Sequence, residues 1–121
     1  MNSYKPRHFN LDRFRCPCCK KLIISDRLLQ LLDLARDIAG VPFIINSGYR
    51  CEKHNKEIGG VPNSAHVKGL AADIKAVTSY ERYHILYGLM KAGFNRIGIG
   101  KTFIHCDIDI MKPKNVIWLY S

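Results

Sequence analysis

The sequence predicts an α+β fold in which a small antiparallel sheet carries two main helices packed on it. Two segments have apolar residues at helical spacing, and each segment ends at a glycine. Three β-rich segments follow at 96–99, 103–108 and 116–120, separated by turn-type residues at 100–101 and 112–115. Strands and helices that are grouped in this way, without regular alternation, are typical of the α+β class.

Both predicted helices have a recognisable start and stop. In the first helix, leucine, isoleucine and alanine recur every three or four residues after Ser25 and Asp26, which are good N-cap residues, until Gly40. The second helix is predicted to begin at Ser79, its candidate N-cap, and to end at Gly93. Each helix therefore has an apolar side that can pack on the sheet.

The remaining segments are shorter. Residues 1–20 are predicted to form an extended N-terminal arm, and residues 41–46 form a short buried strand. A short helix is predicted at 52–58 and a loop at 61–65. A small, apolar, buried strand then follows at 70–74.

Length and composition limit the class of protein. A chain of 121 residues fits one domain, 1–121, and 47% hydrophobic residues exclude a disordered chain. No apolar run approaches the roughly 18 to 20 residues that span a bilayer, and the N-terminus lacks the apolar core of a signal peptide. Nineteen Lys and Arg against ten Asp and Glu give a net charge of +9, which favours polyanionic partners such as nucleic acid, acidic lipid or cell-wall polymer.

The five cysteines form an odd set that is a poor framework for disulfides, because three of them share one tetrapeptide. They are Cys16, Cys18, Cys19, Cys51 and Cys106. We interpret them as mostly reduced thiols that are buried as small apolar residues. A zinc ribbon is the less favoured alternative, because no second matched cysteine pair follows the first cluster.

Three polar residues in or beside apolar segments indicate a buried polar site. His66, Asp73 and His105 would each need a partner if buried, and a metal ion is one such partner. A continuous helix from 66 to 73 would separate the two side chains by roughly 10 Å along its axis, too far for one zinc. Gly69 permits a bend that brings them together, and His105 on a later strand completes the set.

Two imidazoles and a carboxylate are typical of catalytic zinc sites, which keep a fourth position for water. A nearby carboxylate can then act as general base, and Asp107 is our candidate because its two-residue step from His105 shares one strand face. Asp109 is the weaker candidate, since it lies two residues further along. An isolated His-x-Asp pair is otherwise more often a surface hydrogen bond.

Several motifs resemble those of the zinc D-alanyl-D-alanine carboxypeptidase family of peptidoglycan peptidases. They are S-G-Y-R at 47–50, H-N at 54–55, G-G-x-P-N-S at 59–64, S-x-H-x-x-G-x-A-x-D at 64–73 and F-I-H-C-D at 103–107. The resemblance implies that His66, Asp73 and His105 bind one zinc ion and that Arg50 contacts substrate. It also implies the small α+β fold shared with hedgehog signalling domains and lysostaphin-type peptidases.

The sequence departs from the family at one position. Some members carry a Glu three residues before the last His, where this chain has Thr102, so the role of general base passes to Asp107. In related enzymes with H-x-H at this place the second residue binds the metal, so His105 and Asp107 could exchange roles. Arg50 could grip a peptide carboxylate through its planar fork, and a solvated surface arginine is the alternative.

The leading hypothesis is therefore a zinc metallopeptidase that degrades the cell wall by cleaving peptidoglycan stem peptides or cross-links, as a carboxypeptidase or an endopeptidase. The alternative is a non-catalytic, zinc-containing module of the same fold that binds cell wall or protein. A specific nucleic-acid binder is disfavoured, because the chain lacks aromatic or glycine-rich RNA-binding motifs.

The expected substrate lies outside the cytoplasm, although the chain shows no signal peptide. We therefore expect a protein that is made in the cytoplasm and acts on the cell wall. A phage-type lysis enzyme, or endolysin, fits this description, and so does the trimmed domain of an exported bacterial enzyme. The protein is expected to be a monomer.

Overall fold

A computed structural model describes residues 2–120 and confirms the α+β class. A short 3-10 helix, Leu11–Phe14, precedes three α-helices and five strands. The helices are α1 (Asp26–Ala39), α2 (Glu52–Glu57) and α3 (Ser79–Ala92). The strands are β1 (Ile45–Ser47), β2 (Ala71–Lys75), β3 (Arg96–Ile99), β4 (Phe103–Asp107) and β5 (Val116–Leu119).

The five strands form one sheet in the order β1-β2-β4-β3-β5. The pairs β1–β2, β2–β4 and β3–β4 are antiparallel, whereas β3 and β5 are parallel. The sheet is therefore mixed, where the sequence predicted an antiparallel one. Strand β4 is flanked by β2 and β3, so β5 adds to the free edge of β3. Because β4 ends at the side of the sheet where antiparallel β3 begins, the connection over 108–115 enters β5 beside the start of β3, and the two strands run parallel.

Helices α1 and α3 pack against each other and bury the core with the sheet. Helix α1 begins at its predicted cap, where Ser25 Oγ accepts a hydrogen bond from Leu28 N at 3.3 Å. The cap of α3 is Thr78 instead of the predicted Ser79. Thr78 is the cap because Glu81 lies three residues later. Thr78 Oγ1 accepts a hydrogen bond from Glu81 N, and Glu81 Oε1 accepts one from Thr78 N, which together form a capping box.

The N-terminal arm is more structured than the predicted extended segment. Its 3-10 turn places Phe14 fully inside the core. Nearer the N-terminus, Tyr4 Oη donates to the buried carboxylate of Asp33 at 2.5 Å, and the backbone N–H groups of Arg7 and His8 donate to the same carboxylate. One acidic side chain on α1 thus fixes this stretch of the arm.

A helix that crosses a lipid bilayer needs about 20 mainly apolar residues. Among the residues that the structure describes, none of the helices combines the length and apolar character needed to cross a membrane.

Candidate metal centre

His66, Asp73 and His105 lie together in the structure, as the sequence predicted. Each offers a ligand atom within 4.8 Å of the other two, and all three side chains are buried. Asp73 on β2 lies directly opposite His105 on β4 in the antiparallel register. The strand pairing therefore fixes two members of this cluster, which we call the His/Asp centre, and a loop supplies the third.

The loop reaches the sheet through a sharp bend at Gly69. This residue has φ +72°, and a Cβ atom added there would lie 2.4 Å from the carbonyl oxygen of Ile23. The Gly69 carbonyl oxygen in turn accepts a hydrogen bond from Ser25 N at 2.9 Å. The bend brings His66 Nε2 to 3.2 Å from Asp73 Oδ1, as predicted from the glycine.

Hydrogen bonds behind the imidazoles orient both rings. His66 Nδ1 donates to the carbonyl oxygen of Gly48 at 2.7 Å, which leaves Nε2 facing Asp73. His105 Nε2 lies 2.7 Å from Asp107 Oδ2, and its Nδ1 lies 2.9 Å from Asp73 Oδ1. One nitrogen of each ring therefore points to a common place while the other is held by the protein, an arrangement that is typical of metal-binding histidines.

The electrostatics of the centre favour a cation. Burial would raise the pKa of Asp73, but hydrogen bonds from His105 and His66 outweigh it and hold this pKa well below its usual range. Burial would likewise lower the pKa of His105, yet its hydrogen bonds to Asp107 and Asp73 outweigh that effect and raise the pKa. The centre thus keeps carboxylate charge that a divalent metal ion can neutralise.

Asp107 lies behind His105, away from Asp73. Its Oδ1 accepts hydrogen bonds from Arg96 Nε at 2.7 Å and from Asp109 N at 3.1 Å, while Oδ2 faces His105. Burial would raise the pKa of Asp107, but the hydrogen bond with His105 outweighs it and lowers the pKa. The cluster of ligand atoms includes His105 and not Asp107 among the residues that the structure describes.

The weaker base candidate, Asp109, has other partners. Its side chain is buried, and its Oδ2 accepts hydrogen bonds from Lys68 at 2.9 Å and Lys112 at 2.6 Å. Burial would raise the pKa of Asp109, but these two ammonium groups lower it to about 2. Asp109 therefore fastens the chain after β4 and does not join the His/Asp centre.

Arg50 lies at the edge of the centre, and its side chain is only 14% exposed. Its Nη2 donates to Asp73 Oδ2 at 3.2 Å, and its Nε donates to Ser47 Oγ at 3.2 Å. Asn55, itself buried, accepts from Nη1 at 3.4 Å. The guanidinium is therefore held beside a candidate ligand, which differs from a freely solvated arginine.

Two side chains near the centre were not singled out from the sequence. Arg96 is buried, pairs with Asp107 and lies 4.9 Å from the ring of Trp118. The Trp118 ring centroid lies 5.5 Å from that of His105, so β5 forms one side of the centre. Arg96 could have been found from the sequence as a charged residue at the start of an apolar strand. No pattern in the sequence indicated that Trp118 lies beside the centre.

The comparison with known families agrees with this geometry. The model of the peptidase M15 family matches residues 8–107, which is most of the chain. The chain therefore belongs to the peptidase M15 family, whose members are metal-dependent peptidases. No curated protein matches the chain.

Proposed function

We propose that this protein is a zinc peptidase that hydrolyses peptide bonds in the stem peptides or cross-links of peptidoglycan. The observation that carries the proposal is the convergence of His66 Nε2 and His105 Nδ1 on the carboxylate of Asp73. Two imidazoles and one carboxylate suit zinc better than calcium or magnesium, which prefer oxygen ligands.

His66, Asp73 and His105 would hold the ion. When bound, zinc supplies an electrophile for the scissile carbonyl and lowers the pKa of the attacking water. Gly48 and Asp107 keep the two rings in the orientation that presents Nε2 of His66 and Nδ1 of His105. The protein thus sets the orientation of both donor nitrogens before an ion binds.

Asp107 is the proposed general base, and it also positions His105. Its lowered pKa keeps the carboxylate ionised, and the same shift makes it a weaker proton acceptor than an ordinary aspartate. The contacts of Oδ1 with Arg96 and of Oδ2 with His105 support the positioning role directly. Asp107 lies on the Nε2 side of His105, whereas the ion would lie on the Nδ1 side, so a base role requires the Asp107 carboxylate to turn out of this network.

Arg50 is the proposed substrate-binding residue. Its guanidinium lies beside Asp73, and Ser47 and Asn55 limit its freedom, so its orientation is largely set before substrate binds. A planar fork in this place can bind a peptide carboxylate through two hydrogen bonds. The net charge of +9 also favours approach to an anionic cell-wall polymer.

We further propose that the protein acts on the cell wall after release by a phage-type lysis system or after export as a trimmed domain. Incubation with defined muropeptides and mass spectrometry of the products tests the activity. Loss of one terminal residue would define a carboxypeptidase, and separation of a cross-linked dimer would define an endopeptidase.

The controls concern the metal. We expect a chelator to abolish hydrolysis and added zinc to restore it. His66→Ala should lose both bound zinc and hydrolysis, whereas His84→Ala, on α3 away from the centre, should keep both. Hydrolysis that persists without metal contradicts the proposal, and muropeptide binding without any hydrolysis would identify a non-catalytic module instead.

A further inference from the structure

A second group of metal-ligand side chains lies outside the His/Asp centre. Cys16, Cys19 and Cys51 each offer a sulfur atom, and the three sulfurs lie within 4.8 Å of one another. Cys16 is buried, Cys51 is partly buried and Cys19 is exposed. We call these three residues the cysteine cluster.

The first two sulfurs belong to a tight turn in the N-terminal arm. Cys16 and Cys19 have the C-x-x-C spacing that is common in structural zinc sites. Lys20 N donates to the Cys16 carbonyl oxygen at 2.9 Å, and Cys16 N donates to that of Lys21 at 2.9 Å. Lys20 has φ +65°, an unusual value for lysine, so this turn is held in a conformation that its side chain does not favour.

The third sulfur comes from a distant part of the chain. Cys51 follows Arg50 directly and caps α2, where its sulfur accepts a hydrogen bond from His54 N at 3.4 Å. Its own N–H donates to Cys16 Sγ at 3.4 Å, and the Cys16 and Cys51 sulfurs are 3.7 Å apart. The cluster therefore joins two segments that are 35 residues apart.

Backbone N–H groups converge on the Cys16 sulfur. The N–H of Cys51 donates to this sulfur at 3.4 Å, and the N–H groups of Cys18 and Cys19 in the same turn also face it. The thiolate is the form that binds metal ions. A sulfur surrounded by N–H donors is suited to that form.

From this geometry we propose that Cys16, Cys19 and Cys51 bind a second, structural zinc ion, with the neighbouring Cys18 as fourth ligand. Four thiolates in tetrahedral arrangement are a common structural zinc site, and soft sulfur ligands select zinc over calcium or magnesium. Cys18 is exposed and belongs to the same turn as Cys16 and Cys19. Its sulfur lies outside the group of sulfurs that are all within 4.8 Å of one another, so its side chain would have to move to complete the site.

This ion would link the N-terminal arm to the turn that carries Arg50. The two segments already meet at a backbone hydrogen bond from Tyr49 N to the Phe14 carbonyl oxygen at 2.8 Å. An ion bound at the cysteine cluster would hold this contact in place next to Arg50, the proposed substrate-binding residue. The proposal concerns different residues from those of the His/Asp centre and does not depend on the activity proposed above.

The experiment counts zinc in the full chain, purified with reductant and without chelator. We expect two zinc ions per chain in the wild type. Cys19→Ser and Cys51→Ser should each lose one ion and keep the other, and His66→Ala should also keep one. Cys106→Ala removes a cysteine outside the cluster and should retain both ions.

A spectroscopic measurement covers the case in which a cysteine variant fails to fold. In His66→Ala, the single remaining ion should show sulfur neighbours at about 2.3 Å by X-ray absorption, in contrast to the roughly 2.0–2.1 Å of nitrogen ligands. Cobalt substitution of the same variant should give a thiolate charge-transfer band.

Three results would overturn the proposal. They are a wild-type chain with one zinc that the Cys19→Ser variant retains, a remaining ion in His66→Ala without sulfur neighbours, and a disulfide between Cys16 and Cys51 in protein purified without reductant. Alkylation under non-reducing conditions and mass spectrometry detects the disulfide.

Discussion

The His/Asp centre and the cysteine cluster are built by different means. In the His/Asp centre, the β2–β4 register places Asp73 opposite His105, and buried hydrogen-bond partners orient both histidines. In the cysteine cluster, a turn of the arm meets the start of a short helix, and one of the three sulfurs is exposed. The first site is fixed by the sheet, whereas the second depends on the docking of the arm.

The two sites differ in how far the protein orders the candidate ligands without an ion. The partners behind His66 and His105 hold the rings without an ion, because each ring has a protein acceptor on its far side. The cysteines have weaker sulfur hydrogen bonds and a turn with an unfavourable backbone angle at Lys20. We therefore expect metal removal to change activity at the first site and local structure at the second.

The largest expected effect is on catalysis at the sheet-built site. Asp107→Asn preserves size but cannot accept the proton of water, so hydrolysis should fall by roughly a hundredfold to ten-thousandfold while zinc stays bound. Initial rates with a defined muropeptide and zinc analysis measure both quantities.

The matched control for this variant is Arg96→Met, which breaks the same buried ion pair without changing the carboxylate. A smaller loss of activity in Arg96→Met than in Asp107→Asn would show that the Asp107 carboxylate contributes more than its ion pair with Arg96. Equal losses would reduce Asp107 to a positioning residue, and loss of zinc in Asp107→Asn would make it a ligand.

The next effect concerns the bend that completes the His/Asp centre. Gly69→Ala should lower the free energy of unfolding by about 2–4 kcal/mol, because a left-handed residue costs roughly 1–2 kcal/mol and the collision with Ile23 adds strain. Urea unfolding measures the change, and zinc affinity should fall with it.

Gly59→Ala is the control for Gly69→Ala, because Gly59 also has positive φ, +77°, but has open space around it. Gly59→Ala should lower the free energy of unfolding only by the cost of placing alanine at positive φ, roughly 1–2 kcal/mol. Equal losses at Gly59 and Gly69 would show that the close approach to Ile23 contributes nothing.

A smaller effect is expected at the junction of the two sites, where Arg50 precedes Cys51. Arg50→Lys keeps the charge but loses the two-point contact, so kcat/KM for a muropeptide with a free carboxylate should fall about tenfold, or about 1.4 kcal/mol. An amidated muropeptide should be cleaved equally by both proteins. An unchanged preference for the free acid in Arg50→Lys would assign the recognition to another residue.

The smallest effect concerns the turn of the cysteine cluster. Lys20→Gly should stabilise the protein by about 1 kcal/mol or less, because relief of roughly 1–2 kcal/mol at positive φ is partly offset by the greater chain entropy of glycine. Thermal unfolding with saturating zinc measures this change.

Asn115→Gly, at the other non-glycine residue with positive φ among residues 2–120, should gain less, because asparagine tolerates this region. A destabilised Lys20→Gly variant would contradict the interpretation of the turn as strained.

Local signals in the sequence predicted much of this structure. Apolar spacing and caps located α1 and α3, and polar residues within apolar segments identified His66, Asp73 and His105. These features depend on neighbours within a few residues, which a sequence shows directly. Gly69 was informative for the same reason, since a bend between two candidate ligands needs a residue that can adopt it.

Features that depend on long-range contacts were not predictable. The parallel pairing of β5 follows from which sheet edge is free, and the Arg96–Asp107 pair follows from the β3–β4 register. The approach of Cys51 to Cys16 depends on how the arm docks. The sequence therefore gave no indication that a distant cysteine lies beside the tetrapeptide that contains Cys16, Cys18 and Cys19.

Strand β5 forms one wall of the His/Asp centre. The family match ends at residue 107, before β5 begins, yet Trp118 of β5 lies beside the ring of His105. The strand also lies at the outer edge of the sheet, where it pairs with β3 alone. One wall beside the candidate metal ligands thus comes from an edge strand outside the matched segment, so a substitution of Trp118 would reshape that wall without changing the strands that carry Asp73 and His105.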